Sequence, residues 1–485
     1  MKRTGARKTV LPTFSLTELC GEGEPGAFKR TIPSTKHGEG IKYWYRRLTI
    51  EVPEKNGKIP EEICSCYNLF PVVLNQDGVP WDIATIYLLS RLEGVLTPVM
   101  ATYHGIADDL ASYLRFLEKE GIDFTNFPKH KLHRPTYRFY GDLKIAVHAG
   151  EVSVTTAKRR MGTVIGFYRW LKDEGLVLPG KNIPWNESDK YLSITDRRGL
   201  KMSKKVITTD VSIKVPKQHD PYTNTIEDGG KLTPLLKDEQ LWLAEALRKL
   251  GNTEIRLIHL MAIFTGSRIQ TVLTMRVRHV RLVLPDGLSE IRFLVGPGTG
   301  VDTKGDKQMS LHIPVQLYEK LSTYSHSERA RKRREKAAGG DTEDQYLFLS
   351  QQGAPFYQSK SQSMAFDASN KLRHSKAGQG VRQFITERVI PMVRTLHKPK
   401  FYYKFHDLRA TFGMNLTNAQ LELVQEGKIK LDQARNFVKT RMGHESSATT
   451  DIYLNYQQNL DHIRVSVSEY QSHLNHLLNV AMEGL

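Results

Sequence analysis

Hydrophobic positions recur at helical spacing between residues 96 and 180, and this pattern predicts a helical domain there. A first helix has apolar residues at three- and four-residue steps and then a glycine, Gly121, that offers a stop. The predicted apolar positions of this helix are Ile106, Leu110, Tyr113 and Leu117.

A second helix is predicted to open at Ser153, a residue type that favours the N-cap position. Its apolar face would consist of Ala157, Met161, Val164, Tyr168 and Leu171. Basic residues fill much of the remaining surface: Lys158, Arg159, Arg160, Arg169 and Lys172. One side can therefore pack while the other meets phosphates, and a basic face that is merely solvated is the alternative.

The segments on either side of this domain have weaker patterns. Residues 1–95 contain one strand-like run at 43–52, where β-formers and aromatics cluster, and the sequence predicts no function for this region. In residues 181–231 the helical spacing fades, and prolines alternate with a basic stretch at 197–217. This composition predicts an interdomain linker.

Residues 232–485 are predicted to form a further domain, mostly helical with a small antiparallel sheet. Helical spacing is carried by Leu241, Leu247, Leu250, Ile255, Ile258 and Ala262. After Arg276 the pattern turns to β in three runs, the first ending at residue 284 and the others at 291–295 and 309–313. The segment near 325–345 is so basic that we expect a mobile surface insertion.

The C-terminal tail, residues 459–485, carries an apolar stripe at alternating three- and four-residue steps. The stripe consists of Leu460, Ile463, Val467, Tyr470, Leu474, Leu477 and Ala481. A stripe of this kind must be buried, either on the domain that carries it or on another protomer.

Charge narrows the class of partner. The 485 residues include 70 Lys and Arg against 52 Asp and Glu, which gives a net charge of +18. Clustered cations gain affinity for a polyanion by releasing counterions from its phosphates. Nucleic acid is therefore the expected partner, and the alternative interpretation of the charge is a ribosomal or membrane-surface role.

Location follows from the same composition. No apolar run approaches the roughly 18 residues that span a bilayer, and polar residues interrupt the segment after the basic start at 1–3, so we expect neither a membrane protein nor secretion. The chain has three cysteines, Cys20, Cys64 and Cys66, too few for a disulfide framework and without zinc-ligand spacing. A reducing cytosol fits these residues.

Chemistry-bearing residues appear in the second half of the chain. The segment 264–269 ends one apolar helix at Gly266 and starts another at Arg268, where a guanidinium joins free backbone N–H groups that suit phosphate. Lys304 lies in the turn between two predicted strands, where it can point into a cleft.

Two further features follow them. His406 and Arg409 have the spacing that places two side chains on one helical face. The dipeptide Gly443-His444 is followed nine residues later by Tyr453. Each feature alone is weak, and their order is what distinguishes the set.

This order resembles the tyrosine recombinase (phage integrase) family, whose active site is an ordered Arg, Lys, His-x-x-Arg, His and Tyr. The matching residues are Arg268, Lys304, His406, Arg409, His444 and Tyr453. The resemblance covers residues 232–460 well and extends to 100–177, which is similar to the end of the family's helical core-binding domain.

Three features depart from the family pattern. Thr271 stands three residues after Arg268, where the family usually carries an acid. Ala410 stands where a histidine often follows the second arginine. The stretch from the lysine turn to His406 is longer than usual, with the basic segment as the expected insert.

The resemblance implies a role for each residue. Arg268, Arg409 and His444 would hold the charge that gathers on a phosphodiester attacked in line. Tyr453 would be the nucleophile, His406 the base that takes its proton, and Lys304 the acid that protonates the leaving 5′-oxygen. No metal ion or other cofactor is expected, because the side chains supply the charge.

Alternatives remain open for several positions. Lys307 could replace Lys304 as the acid, and Tyr456 could replace Tyr453 as the nucleophile. Arg268 and Arg409 could be surface arginines, and His444 could cap a helix. The two tyrosines before the His-x-x-Arg segment, Tyr402 and Tyr403, are expected to be packing aromatics.

The expected protein is therefore a mainly α, multidomain enzyme: a helical core DNA-binding domain plus an α+β catalytic domain with a small antiparallel sheet. It would cleave and rejoin double-stranded DNA at specific sites in the cytoplasm, associated with the nucleoid, as a recombinase of a mobile genetic element. A tetramer at synapsis is implied, with the tail docked onto a neighbouring protomer. The alternatives are type IB topoisomerase-like strand cleavage and an inert DNA-binding protein.

Basic residues outside the catalytic set are expected to contact the DNA backbone. They lie on the second predicted helix and in the linker, and we expect their loss to weaken binding to all sequences. These residues are Lys158, Arg159, Arg160, Arg197, Arg198, Lys201, Lys204 and Lys205.

Overall fold

The computed structural model shows a chain of two units. The residues it describes are 5–32, 40–51, 62–93, 95, 98–176, 183–195, 201–214, 225–282, 285, 287–360, 376–456 and 471–475. Internal contacts divide the chain between residues 218 and 219. The segment 225–231, which we assigned to the linker, therefore belongs to the second unit.

The first unit begins with small antiparallel sheets. Its strands are β1 (Arg7–Ser15), β2 (Thr17–Cys20), β3 (Phe28–Ile32), β4 (Ile41–Arg47), β5 (Thr49–Glu51), β6 (Glu62–Cys64) and β7 (Cys66–Leu74). Strand β1 pairs with β7, β4 lies between β2 and β3, and β5 pairs with β6. The strand-like run at 43–52 is thus confirmed in β4 and β5.

Four helices follow in this unit. They are α1 (Asp82–Ser90), α2 (Met100–Glu120), α3 (Pro135–His148) and α4 (Val154–Asp173). Helix α2 ends at Gly121, which has a left-handed φ of 60°, and the N-cap Ser153 accepts a hydrogen bond from the Thr156 amide at 3.2 Å. In the core between α2 and α4, the hydroxyls of Tyr113 and Tyr168 lie 2.6 Å apart. Both helices predicted from the spacing are confirmed.

The linker prediction is wrong for much of its length. Strands β8 (Glu187–Thr195) and β9 (Lys201–Thr209) pair as an antiparallel hairpin of nine residues each. Strand β9 ends in four consecutive β-formers, residues 206–209, and the prolines that suggested a linker lie outside both strands. Residues 215–224 lie outside the described part of the chain.

The second unit begins with a short hairpin and is mainly helical. Its strands are β10 (Ile226–Glu227), β11 (Lys231–Leu232), β12 (Glu290–Val295) and β13 (Met309–Pro314). Its helices are α5 (Lys237–Lys249), α6 (Thr253–Thr265), α7 (Ile269–Leu273), α8 (Val315–His326), α9 (Glu328–Glu335), α10 (Gln379–Phe384), α11 (Ile390–Leu396), α12 (Asp407–Gln425) and α13 (Leu431–Met442). A further helix, here called α14, is described over residues 447–456, and residues 471–475 are also helical.

A single apolar cluster joins most of these elements. It runs from Leu235 before α5 to Leu408 in α12 and includes both strands of the β12–β13 pair. Within α5, the residues that enter the cluster are Leu243, Ala246 and Leu247, whereas Leu241 is exposed. Leu241, which we included in the helical spacing, therefore lies outside the buried face of α5.

The predicted three-stranded sheet is also wrong in one strand. Among the described residues, β12 and β13 form a two-stranded antiparallel pair with Ile291 opposite Ile313. The segment after Arg276 forms a 3-10 turn over Val277–Val280 instead of a strand. Arg276, just before this turn, instead forms an isolated antiparallel bridge with Tyr346.

The basic segment near 325–345 is an ordered part of the domain, and the prediction of a mobile insertion is wrong. It forms α9, whose Arg329 and Arg333 pair with the buried carboxylate of Glu254 at 2.7 and 3.0 Å. Arg334 is itself buried and pairs with Asp341 at 2.5 Å. A buried carboxylate requires a cation beside it, so these charges belong to the core.

Most of the tail lies outside the described residues. Of the predicted apolar stripe, only Leu474 falls in the described helical residues 471–475, where it is exposed. Throughout the described residues, no helix combines the length and apolarity needed to cross a bilayer.

Candidate active site

Arg268 occupies a tight connection between two helices. Helix α6 ends at Gly266 with a left-handed φ of 66°, and Arg268 is the N-cap of α7. A Cβ at Gly266 would lie 2.5 Å from Cδ1 of Phe412, so only glycine fits there. The prediction of a helix stop and a helix start at this site is confirmed. Among the described residues, the buried Nε of Arg268 has no hydrogen-bond partner.

Lys304 lies in the loop between β12 and β13, as predicted. It opens a 3-10 turn over Lys304–Asp306, in which Gly305 has a φ of 69°, and its side chain is exposed. The neighbouring Lys307 donates a hydrogen bond to the carbonyl of Gly443 at 2.7 Å. Lys307 is thus engaged with the backbone, whereas the Lys304 side chain is exposed.

His406 and Arg409 lie at the start of α12. Arg409 is buried, and two backbone carbonyls hold its guanidinium: Nη1 donates to Gly266 at 2.9 Å and Nη2 to Met442 at 2.9 Å. Because both terminal nitrogens of the guanidinium donate to the backbone, its orientation is fixed and its Nε is directed to another partner. The alternative that Arg409 is a surface arginine is therefore wrong.

His444 follows the end of α13 at Gly443, whose φ is 64°. Its Nδ1 lies 3.0 Å from the hydroxyl of Thr450, which leaves Nε2 free to face the centre of the site. An ion pair of 2.7 Å between Arg435 and Asp451 ties α13 to α14. The loop and helix that carry the nucleophile candidate are thereby fixed to α13.

Tyr453 is fully buried in the second unit. Its ring packs against Gly413 of α12, where a Cβ would lie 2.9 Å from Cδ1 of the ring and closer still to Cε1. Its ring centroid is 5.6 Å from that of His444. Tyr456 belongs to the apolar cluster around Tyr453 as a partly buried residue.

The predicted groups converge on one carboxylate, that of Asp228. Its Oδ2 accepts a hydrogen bond from Arg409 Nε at 2.7 Å and from the Tyr453 hydroxyl at 3.1 Å. The same oxygen lies 3.3 Å from His444 Nε2, and Oδ1 lies 3.5 Å from Arg268 Nη2. Asp228 occupies the turn between β10 and β11 and is buried.

The remaining two predicted residues border the same turn. A Cβ on Gly229 would lie 3.0 Å from Lys304 Nζ and 3.8 Å from His406 Nε2. His406 Nε2 is also 3.3 Å from the backbone carbonyl of Asp228. All six predicted side chains therefore surround residues 228 and 229.

The electrostatics of the site are strongly coupled. Burial alone would raise the pKa of Asp228, but the hydrogen bond with His444 and the charge of Arg409 outweigh it and hold that pKa far below its usual value. Burial raises the pKa of Tyr453, and the charge of Asp228 raises it further. Burial and the charges of two arginines lower the pKa of His406.

Sequence reasoning missed Asp228. The available signal was the run Glu227-Asp228-Gly229-Gly230, an acidic pair before two glycines, which is typical of a tight turn. Thr271, at the position where the family usually has an acid, instead donates to the carbonyl of Asp302 at 2.8 Å. The carboxylate that contacts Arg268 comes from Asp228 in the β10–β11 turn.

Tyr402 differs from the prediction and Tyr403 agrees with it. Tyr403 is buried, and its hydroxyl lies 2.8 Å from His259 Nε2. Tyr402 is exposed and lines a cavity of about 460 Å³ together with Arg268 and His406. Tyr402 is therefore not a packing aromatic.

The candidate DNA-binding residues have different surroundings in the first unit. Lys158 and Arg159 are exposed on α4, and Arg159 pairs with the buried Asp109 at 2.8 Å. Arg160 is half-buried on the same helix. Lys205 on β9 pairs with Asp189 at 2.7 Å. Lys201 and Lys204 also lie on β9, and Arg197 and Arg198 lie outside the described residues.

The described part of the chain has no group of three or more His, Cys, Asp or Glu side chains placed to hold a metal ion.

Comparison with known proteins gives structural likenesses alone. No protein-family model matches the chain, and no curated protein matches it. The fold is similar to XerH site-specific recombinase bound to its difH substrate, with 14% identity, 77% of this chain and 86% of that chain covered, and a TM-score of 0.42. A lambda integrase dimer bound to a COC′ core site gives 14% identity, 77% and 94% coverage and a TM-score of 0.42. The Tn1549 transposon integrase in complex with transposon right end DNA gives 14% identity, with 76% of this chain and 94% of that chain covered and a TM-score of 0.40.

Proposed function

We propose that this chain is a tyrosine site-specific recombinase that cleaves and rejoins DNA through a covalent 3′-phosphotyrosine. The observation that carries this proposal is the convergence of Arg409 Nε, His444 Nε2 and the Tyr453 hydroxyl on one anionic oxygen. Three separate segments of the chain deliver these groups to one point. A phosphodiester oxygen bound at that point would lie beside a tyrosine nucleophile.

The cationic side chains stabilise the reaction's transition state. In-line attack on a phosphodiester increases the negative charge on the non-bridging oxygens. Arg268 and Arg409 supply guanidinium donors to these oxygens, and His444 supplies a third. Removing one such donor from a preorganised site costs roughly 10²–10³ in rate.

His406 and Lys304, which both lie beside Gly229, would carry out the two proton transfers. Tyr453 is a poor nucleophile while protonated, and His406, whose pKa is lowered, is neutral at physiological pH and able to accept a proton. Lys304, exposed at the rim, would protonate the departing 5′-oxygen. The P–O5′ bond breaks as the P–O bond to Tyr453 forms, and the products are a 3′-phosphotyrosine and a free 5′-hydroxyl.

Religation reverses these steps. A 5′-hydroxyl attacks the phosphotyrosine, Tyr453 leaves, and the phosphodiester is restored without an external energy source. We propose no metal ion in either direction, because two arginines, a lysine and a histidine already provide the charge stabilisation. Integration and excision both follow from exchanging which 5′-hydroxyl attacks.

The proposed partner is double-stranded DNA. Each active site breaks one strand, so recombination between two duplexes requires four active sites, and we propose a tetramer at synapsis. The basic face of α4, with the exposed Lys158, supports contact with the DNA backbone. A type IB topoisomerase is the second candidate, since it would use the same residues as a monomer.

A nicked suicide duplex tests the proposal. Loss of the short fragment that carries the new 5′-hydroxyl traps the covalent intermediate, and a label on the segment 5′ of the scissile phosphate should migrate with the protein in the presence of EDTA. Covalent attachment of the protein to the segment 3′ of the scissile phosphate, or complete loss of attachment on chelation with binding intact, contradicts the proposal. Exchange between two labelled sites, measured beside supercoil relaxation, separates recombination from topoisomerase activity.

A further inference from the structure

We propose that the turn at residues 228–230 is an internal plug, in which the Asp228 carboxylate occupies the position of the scissile phosphate and must withdraw before DNA is cleaved. This inference rests on the proposed function for the identity of the displaced ligand. The plug is a regulatory contact made by the chain on its own site.

The carboxylate matches a phosphodiester in charge and in its donors. Both are monoanions with two free oxygens, and both oxygens of Asp228 face the site. Oδ1 lies 3.5 Å from Arg268, while Oδ2 accepts from Arg409 at 2.7 Å. Two non-bridging phosphate oxygens would be received by the same two arginines.

The contacts of Asp228 are with the atoms that react. It binds Nε2 of His444 and the hydroxyl of Tyr453, which must face phosphorus during cleavage. A residue that only positions these groups would contact atoms that do not react, such as Nδ1 of the histidine or the ring of the tyrosine. Other groups already do this, because Thr450 lies against Nδ1 of His444 and α12 packs against the ring of Tyr453.

Arg409 is oriented independently as well. The carbonyls of Gly266 and Met442 each accept a hydrogen bond of 2.9 Å from its terminal nitrogens. Removal of Asp228 therefore leaves the three reactive groups with their backbone and side-chain supports. Asp228 and a phosphodiester would compete for one volume, and two adjacent anions would repel each other.

The turn has a geometry that permits withdrawal. Its anchors lie outside the tip: Ile226 and Leu232 are buried, and the amide of Thr233 donates to Asp407 Oδ1 at 3.0 Å. Between them, Gly229 and Gly230 are exposed and have φ values of 71° and 155°. Two glycines give the tip backbone freedom that other residues lack, so the tip can move while its anchors stay.

Neutralising Asp228 should therefore open the site. We expect Asp228→Ala and Asp228→Asn to form the covalent complex on a nicked suicide duplex several-fold faster than the wild type in single turnover. Glu227→Gln is the matched control, because it removes one exposed negative charge from the adjacent position without touching these donors. The control should react at the wild-type rate. A rate for both Asp228 variants at or below that of the wild type would overturn the plug.

A second readout does not depend on cleavage. Inorganic sulfate, compared with chloride at equal ionic strength, should raise the thermal transition of Asp228→Ala and Asp228→Asn more than that of the wild type or Glu227→Gln. Equal responses from all four proteins overturn the plug. The sulfate response without covalent attachment by any protein keeps the anion position but overturns the proposed recombination chemistry. If the wild type becomes covalently attached but all four proteins respond equally to sulfate, the proposed recombination chemistry stands and the plug is overturned.

Discussion

The Tyr453 hydroxyl donates a hydrogen bond of 3.1 Å to the carboxylate of Asp228. Burial raises the pKa of Tyr453, and the neighbouring negative charge raises it further, so the phenol stays protonated in this arrangement. A protonated phenol is a poor nucleophile. Under the proposed mechanism, Tyr453 therefore reacts only after the Asp228 carboxylate has withdrawn and a base has taken the phenol proton.

Helix α12 limits where the Tyr453 ring can lie. A Cβ at Gly413 would lie 2.9 Å from the ring's Cδ1 and 3.0 Å from Met442 Cε. We expect Gly413→Ala to push the ring from the site and to lower the rate of covalent attachment by about 100-fold, since misplacement of about 1 Å has this cost. Single-turnover cleavage measures the effect, with duplex binding as the reference.

Gly162→Ala is the control for the helical glycine. A Cβ at Gly162 of α4 meets nothing within 4 Å, so this change should keep full cleavage and stabilise the fold by about 0.5–1 kcal/mol. Equal cleavage by Gly413→Ala and Gly162→Ala would show that the Gly413 contact does not position the tyrosine.

The two lysines of the β12–β13 loop should differ in their effect on the leaving group. Lys304→Ala should lower cleavage by about 10²–10⁴ on an ordinary phosphodiester, the range for a lost general acid. A substrate with sulfur at the 5′-bridging position should restore the rate, because a thiolate leaves without a proton. Lys307→Ala serves as the comparison, since Lys307 bonds to Gly443. If the sulfur substrate restored the rate of Lys307→Ala and not that of Lys304→Ala, the general acid would be Lys307.

The pH dependence of cleavage should report His406. Burial and the charges of Arg268 and Arg409 lower its pKa below the ordinary 6.5. The imidazole is therefore already neutral at pH 6.5 and above, where it can take the tyrosine proton. Single-turnover rates should therefore be constant above about pH 6.5 and fall as the pH drops through the lowered pKa. In His406→Gln this acid limb should be absent. If the limb persists in that variant, another group, such as His444, produces it.

The basic face of α4 allows a matched test of DNA contact. Lys158→Ala should reduce the slope of log affinity against log salt by about 0.9 and leave thermal stability unchanged. Arg159→Ala should also lower the thermal transition, because Asp109 is buried and pairs with Arg159 at 2.8 Å. An unchanged salt slope in Lys158→Ala would mean that this face is merely solvated.

Two of the candidate site residues, Arg268 and His444, could be located from local sequence because each follows the glycine that ends a helix. Gly266 ends a helix two residues before Arg268, and Gly443 ends a helix directly before His444, so the backbone turn and the candidate residue appear together in the sequence. Helices α2 and α4 were predictable for a similar reason, since their apolar faces repeat at helical spacing and pack as that spacing requires.

Long-range pairing was not predictable in this way. The charge of α9 looks like a solvated insertion until Glu254, far away in the sequence, is found beneath it. Asp228 lies 181 residues from Arg409 and 225 from Tyr453, and no local spacing links them. The β8–β9 hairpin was missed because its strands lack an alternating apolar pattern and contain several lysines, which we interpreted as a linker composition.

The most direct test of the account is the identity of the nucleophile. Tyr453→Phe and Tyr456→Phe should each be incubated with the nicked suicide duplex, and covalent attachment should be measured together with binding. We predict that Tyr453→Phe binds DNA as the wild type does but forms no covalent complex, whereas Tyr456→Phe still forms it. Covalent attachment by Tyr453→Phe, or its loss in Tyr456→Phe with binding intact, would contradict the assignment of Tyr453.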